Sequence, residues 1–136
     1  MLLNSAFVNL INYGPDLYPS NLQSDIDSLN EHMYKHLNNG VYQAGFATSQ
    51  QAYDEAYQNV FSVLDELEAR LADGRDYLHG NQLTESDIRL FVTLIRFDAA
   101  YYGLFKCNRN QIKDMPRLFA YMQRIYRIPG IAKTVN

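Results

Sequence analysis

One cysteine, Cys107, stands in 136 residues, and tryptophan is absent. A lone thiol cannot close an internal disulfide, so burial and hydrogen bonding must hold the fold, and the setting is read as reducing and cytosolic. Glycine (7) and proline (4) are sparse, which excludes fibrous and low-complexity classes. Nowhere do about 18 apolar residues run together, so no membrane-spanning helix is expected. No cationic, apolar leader with a small-residue cleavage site opens the chain either. Twelve Lys and Arg against fifteen Asp and Glu give a net charge of −3, with the cations scattered singly. Without a basic stripe to neutralise phosphates, nucleic-acid binding is not expected.

What is present is apolar and aromatic: 47% of residues are hydrophobic, including 11 Tyr and 7 Phe. A chain of this length can bury roughly two thirds of its unfolded surface, so a single globular core is expected. The strongest local signal is the run Leu83 to Ile88. Thr84 can accept from the N–H of Asp87 while the Asp87 carboxylate reaches back to the N–H of Thr84, and Leu83 with Ile88 completes a hydrophobic staple. The helix that follows, to Tyr101, places Ile88, Phe91, Val92, Ile95 and Ala99 on one face and Leu90, Leu94, Phe97 and Tyr101 on the other. Apolar on both sides, it belongs inside a bundle.

Other helices flank it. Ser20 with Gln23 predicts a cap for a helix carrying Leu22, Ile26, Leu29, Met33 and Leu37, ending at Asn38, Asn39 and Gly40. Val41 to Ala47 reads as a loop. Thr48 with Gln51 predicts the cap of a long helix burying Ala52, Ala56, Val60, Val63, Leu64, Leu67 and Leu71, stopped by Asp73 and Gly74. On its wet face Asp54–Gln58 and Glu66–Arg70 lie four apart. Gly103 to Asp114 reads as irregular, and Pro116 opens a last helix with Leu118, Phe119, Met122, Ile125 and Tyr126, closed by Pro129 and Gly130. No run alternates as a strand does, so the fold class is all-α, a helical bundle.

Few residues could carry chemistry. Cys107 lies between Lys106 and Asn108 with Arg109 close by, cations that could favour a thiolate, but no histidine or second cysteine is near in sequence, so an inert thiol is the default. His32 and His36 have the spacing of two metal ligands, yet no acid completes a metalloprotease pattern; they read as exposed helix residues, His79 stands alone beside Gly80, and no metal is expected. Arg89, Thr93 and Arg96 form a polar row on the buried helix, which must face a cleft or pair with acids such as Asp98. A tyrosine offers a flat apolar ring and a hydroxyl able to bond a quinol oxygen. Tyr42, after a glycine stop, and Tyr101, at a helix end, could line a cleft or serve as packed tyrosines.

The Leu83–Asp87 box opening an apolar helix is similar to the cap and staple of the glutathione transferase C-terminal domain. The run Asn39 to Thr48, Tyr77-Leu78, Asp87 to Phe91, Arg96-Phe97-Asp98, Phe105 to Asn108, and Pro129-Gly130 with Thr134 to Asn136 together resemble the glutathionyl-hydroquinone reductases, the Xi class of that superfamily. The resemblance covers residues 18 to 136 and implies a two-domain enzyme. Its thioredoxin-like N-terminal half binds glutathione and carries the nucleophile in a Cys-Pro-Trp-Ala motif. No Cys-Pro and no Trp occur here, so this chain is read as the helical half, inactive alone, with residues 1–19 as the end of the N-terminal domain and its linker and 20–136 as the helical domain. By the same resemblance Tyr42 and Tyr101 match tyrosines that line the hydroquinone pocket, while Cys107 matches a position that is not the nucleophile. Ala99, Ala100, Tyr102, Gly103 and Leu104 depart from the family pattern around Tyr101. Glutathione is the implied co-substrate, a quinone-type molecule the substrate, and a homodimer the implied assembly. The alternative reading is a free-standing helical protein-interaction module derived from such an enzyme.

Overall fold

A computed structural model describes residues 17–103, 107, 109–128 and 131. The lead-in over residues 1–13, Lys106 and the Pro129-Gly130 stop lie outside them. Among the described residues five α-helices follow in order: α1 (Gln23–Met33), α2 (Gly40–Gly45), α3 (Gln50–Arg70), α4 (Glu85–Arg96) and α5 (Pro116–Tyr126). Among the described residues there is no strand, only an isolated bridge between Tyr77 and Gly80. None of their helices is long and apolar enough to cross a membrane.

The buried helix is α4. Leu90, Phe91, Leu94 and Phe97 are buried along it, whereas Val92 and Ile95 are half-buried and Ala99 is exposed. The two-sided apolar face therefore narrows toward its C-terminal end. At its start the capping box is closed: the Thr84 N–H donates to Asp87 Oδ2 at 2.8 Å. The Asp87 carboxylate gathers three more donors, the Thr84 hydroxyl at 3.2 Å, the Leu78 N–H at 2.9 Å and the Tyr121 hydroxyl at 2.7 Å. Burial pushes this carboxyl above the ordinary carboxylate range, and the donors pull against it. Tyr121, absent from the expected stripe of α5, is fully buried, because its hydroxyl has this acceptor to meet.

Three helix ends differ from expectation. Ser20 caps nothing: α1 begins after Leu22, with no side-chain cap. Ser49 rather than Thr48 caps α3, its hydroxyl accepting from the Ala52 N–H at 3.1 Å, and Ala52 itself is exposed. Asn38, Asn39 and Gly40 do not end the first helical segment. The chain passes through a π-helical turn, Tyr34–Asn38, into α2, so most of the expected loop is helix. Gly40 is there for proximity: a Cβ on it would lie 3.1 Å from Val60 Cγ2 of α3. Gly74 does terminate the long helix, with φ at 88°.

The wet-face pairs are also rearranged. Glu66 meets His32 at 2.9 Å, and Arg70 donates to the Leu78 carbonyl at 2.7 Å, so those two do not pair with each other. On the first turn of α3 it is Gln50 that donates to Asp54, at 2.7 Å. The core joins α1, α3, α4 and α5, with Phe61 added to the α3 stripe and Leu71, just past the end of α3, buried as expected.

Candidate functional site

Two π-helical turns shape one cleft. In each, an N–H reaches back five residues: Asn39 to the Tyr34 carbonyl and Tyr102 to the Phe97 carbonyl, both at 2.9 Å. The extra residue in such a turn re-aims the side chains after it, a device frequent at functional sites. The first turn puts Tyr34 and Asn38, and the second puts Tyr101, around a cleft of about 230 Å³ that Tyr42, Arg89 and Arg96 also line. Asn38 fastens the first turn to α4: its amide donates to Thr93 Oγ1 at 2.6 Å and to the Arg89 carbonyl at 3.1 Å.

At the cleft the hydroxyls of Tyr42 and Tyr101 lie 2.9 Å apart, with their rings edge to face at 5.6 Å. Tyr101 is almost fully buried, while Tyr42 is 43% exposed. Behind Tyr101 an edge-to-face series runs through Phe97 at 6.2 Å to Phe61 at a further 6.0 Å, which fixes the ring. Burial first, then the bond to Tyr42, pushes the Tyr101 phenol up to about 12, with Arg96 pulling the other way. It therefore holds its proton throughout the neutral range and can donate to an incoming oxygen.

The polar row of α4 faces this cleft rather than the expected acid. Asp98 accepts from the N–H groups of Ile112 at 2.6 Å and Lys113 at 3.3 Å, so it caps the short 3₁₀ turn Ile112–Asp114. Among the described residues Arg89 approaches only Glu85, at 3.7 Å, and its Nε has no hydrogen-bond partner there. Tyr34, 59% exposed on the rim, escaped sequence reasoning, since Asn38 to Gly40 signal a stop and nothing in residue type marks a π turn.

The other candidates lie elsewhere. Cys107 is fully buried, and burial raises its thiol to about 11. Arg109 turns to Asp65 in a two-pronged pair at 2.8 and 2.6 Å and stacks over Phe61, so it does not promote a thiolate. His32 contacts the His36 ring edge-on as well as Glu66, and His79 Nε2 lies 2.9 Å from Ser86 Oγ. No group of three or more His, Cys, Asp or Glu among the described residues is arranged to hold a metal.

Comparison with known proteins places this arrangement. Residues 50–124 match the family described as glutathione S-transferase, C-terminal domain. The chain is 53% identical, over 99% of its length, to the glutathionyl-hydroquinone reductase YqjG of Escherichia coli, covering 41% of that protein. It is 47% identical, again over 99% of its length, to the glutathionyl-hydroquinone reductase PcpF of Sphingobium chlorophenolicum, covering 43% of it. The glutathione-bound structure of YqjG superposes with a TM-score of 0.88 at 54% identity, over 90% of this chain and 40% of that one. The chain thus spans about two fifths of the length of the relatives it matches. It belongs to the glutathione S-transferase C-terminal domain family.

Proposed function

We propose that this chain forms the hydroquinone-binding wall of a glutathione-dependent oxidoreductase that reduces glutathionyl-hydroquinones. In this reading a thioredoxin-like half outside these 136 residues binds glutathione and supplies the reactive thiolate, and residues 1–19 lead from it. That thiolate attacks the glutathionyl sulfur of the conjugate. An S–S bond forms, the C–S bond breaks, its electron pair and a proton end on the ring carbon, and hydroquinone leaves. A second glutathione thiolate then takes the sulfur, giving glutathione disulfide and regenerating the enzyme thiolate. A reducing cytosolic setting and pairing of two copies through helical surfaces belong to the same proposal.

The residues of this chain bind and orient. The observation that carries the reading is the Tyr42–Tyr101 hydroxyl pair, 2.9 Å apart at the cleft. Tyr101 is almost fully buried, so its hydroxyl has already exchanged water for Tyr42, and a substrate oxygen can replace that bond with little further desolvation of Tyr101. Tyr101, its phenol raised to about 12, stays a donor to oxyanion character growing on the ring oxygen. At about 230 Å³ the cleft falls below the roughly 300–1,000 Å³ of complete ligand pockets, as expected of a site walled by two domains.

The test is kinetic. In the intact two-domain protein, Tyr42→Phe and Tyr101→Phe should each lower kcat/KM for a glutathionyl-hydroquinone by about a hundredfold while leaving the far-UV circular dichroism unchanged. Unaltered kinetics in both variants would reject the assignment.

A further inference from the structure

The wall of the cleft carries positive charge beside the tyrosine pair, from Arg89 and Arg96. Arg89 and Arg96 stand two helical turns apart on α4, so they share one face, and both line the cleft beside Tyr101. Elsewhere on the molecule Arg75 and Arg109 each grip a carboxylate, at 2.7 and 2.6 Å. Arg96 hydrogen-bonds the Tyr101 hydroxyl but forms no ion pair among the described residues. Among those residues Arg89 has only Glu85, at 3.7 Å and beyond hydrogen-bond reach, and its buried Nε is unpartnered. The nearby acid that could have neutralised them, Asp98, is committed to the N–H groups of Ile112 and Lys113. Two guanidinium groups therefore face the cleft with at most one distant carboxylate between them. A guanidinium held by the protein without its own acid is matched geometrically and electrically to a carboxylate that arrives with a ligand.

We propose that the Arg89–Arg96 face is a subsite for a carboxylate on the bound aromatic, so that the cleft prefers hydroquinones carrying an acidic ring substituent over neutral ones. This rests on the reading that the Tyr42–Tyr101 pair receives the quinol ring. The same chemistry could come from a carboxylate of the glutathionyl moiety, and the test separates the two sources.

The chain is titrated with 2,5-dihydroxybenzoate, with hydroquinone and with glutathione, following backbone amides by NMR. The acidic quinol should bind at least about tenfold tighter than hydroquinone, shift the amides of Arg89, Thr93, Arg96 and Tyr101, and weaken as salt is raised. Arg96→Gln should bring the ratio close to one, and Arg96→Lys should keep most of the preference. Equal affinity for the two quinols, both shifting Tyr42 and Tyr101, would overturn the subsite and leave the proposed function standing. Shifts at the arginines with glutathione but not with the acidic quinol would overturn the ring-substituent assignment. If neither quinol perturbs the cleft, both readings fail.

Discussion

Replacing Asp87 by alanine strips four donors of one acceptor at the centre of the fold. Two are backbone N–H groups, of Leu78 and Thr84, and two are hydroxyls, of Thr84 and Tyr121. The Thr84 hydroxyl can turn, but the two N–H groups and the buried Tyr121 hydroxyl are left facing a dry site, and each such orphan costs about 1–3 kcal/mol. Against that, the cost of holding a carboxyl where burial raises its pKa disappears with the side chain. The net destabilisation should be about 3 kcal/mol, a large share of the roughly 5–15 kcal/mol of a typical domain. In thermal melts followed by circular dichroism, Asp87→Ala should lower Tm by roughly 10 °C. Asp87→Asn keeps an acceptor for one pair of donors and should lose about half as much. Tyr121→Phe removes only one charge-assisted bond, about 1.5–3 kcal/mol at most. An Asp87→Ala chain within about 1 kcal/mol of the parent would refute the view that this carboxylate ties α4, α5 and the Leu78 segment together.

Gly40→Ala should destabilise by about 1 kcal/mol in urea melts, because the new Cβ meets Val60 Cγ2 at 3.1 Å. In a Val60→Ala background, which removes that methyl, the same change should become neutral or better; an equal cost in both would show that the contact is not the cause. For Cys107 the thiol is raised from 9.0 to about 11, so at pH 8 only about 0.1% is thiolate, and alkylation should be at least about a hundredfold slower than in urea. Because the native value is the higher one, this group's stabilising contribution is complete below the ordinary thiol range and fades as pH climbs toward about 11. Cys107→Ala should flatten that decline, and an unchanged alkaline slope would contradict it. Asp73 has the opposite sign: Arg75 side-chain and backbone donors lower it to about 2, so its contribution is present above the ordinary 3.8 and lost as pH falls through about 2. Its carboxyl carbon should titrate near 2 by NMR and move back toward 3.8 in Arg75→Gln; a midpoint already at the ordinary value would refute the pairing.

Legibility in the sequence followed the range of the interaction. The Thr84–Asp87 box spans one turn, the Gly74 stop is a single-residue backbone preference, and Pro116 opens α5 for a local reason, so all three can be read from neighbours. Gly40 misleads because a glycine after a periodic stretch signals a stop, whereas its actual role is contact with a residue of the next helix. Tyr121 is placed by an acceptor 34 positions away. Both π turns, and with them the aim of Tyr34 and Tyr101, depend on five-residue backbone bonds that no residue type announces. The polar row of Arg89, Thr93 and Arg96 was visible as a row, but its direction was not, since that depends on Asp98 being used by the 3₁₀ turn.

In the proposed function Tyr42 and Tyr101 together wall a site for a quinol ring. This is tested most directly by isotope-filtered nuclear Overhauser spectroscopy of the labelled chain with unlabelled hydroquinone. Cross-peaks are expected from the ligand ring protons to the ring protons of both tyrosines. Cross-peaks confined to another face, such as the apolar groove of about 320 Å³ lined by Ile95, Phe119 and Met122, would contradict it.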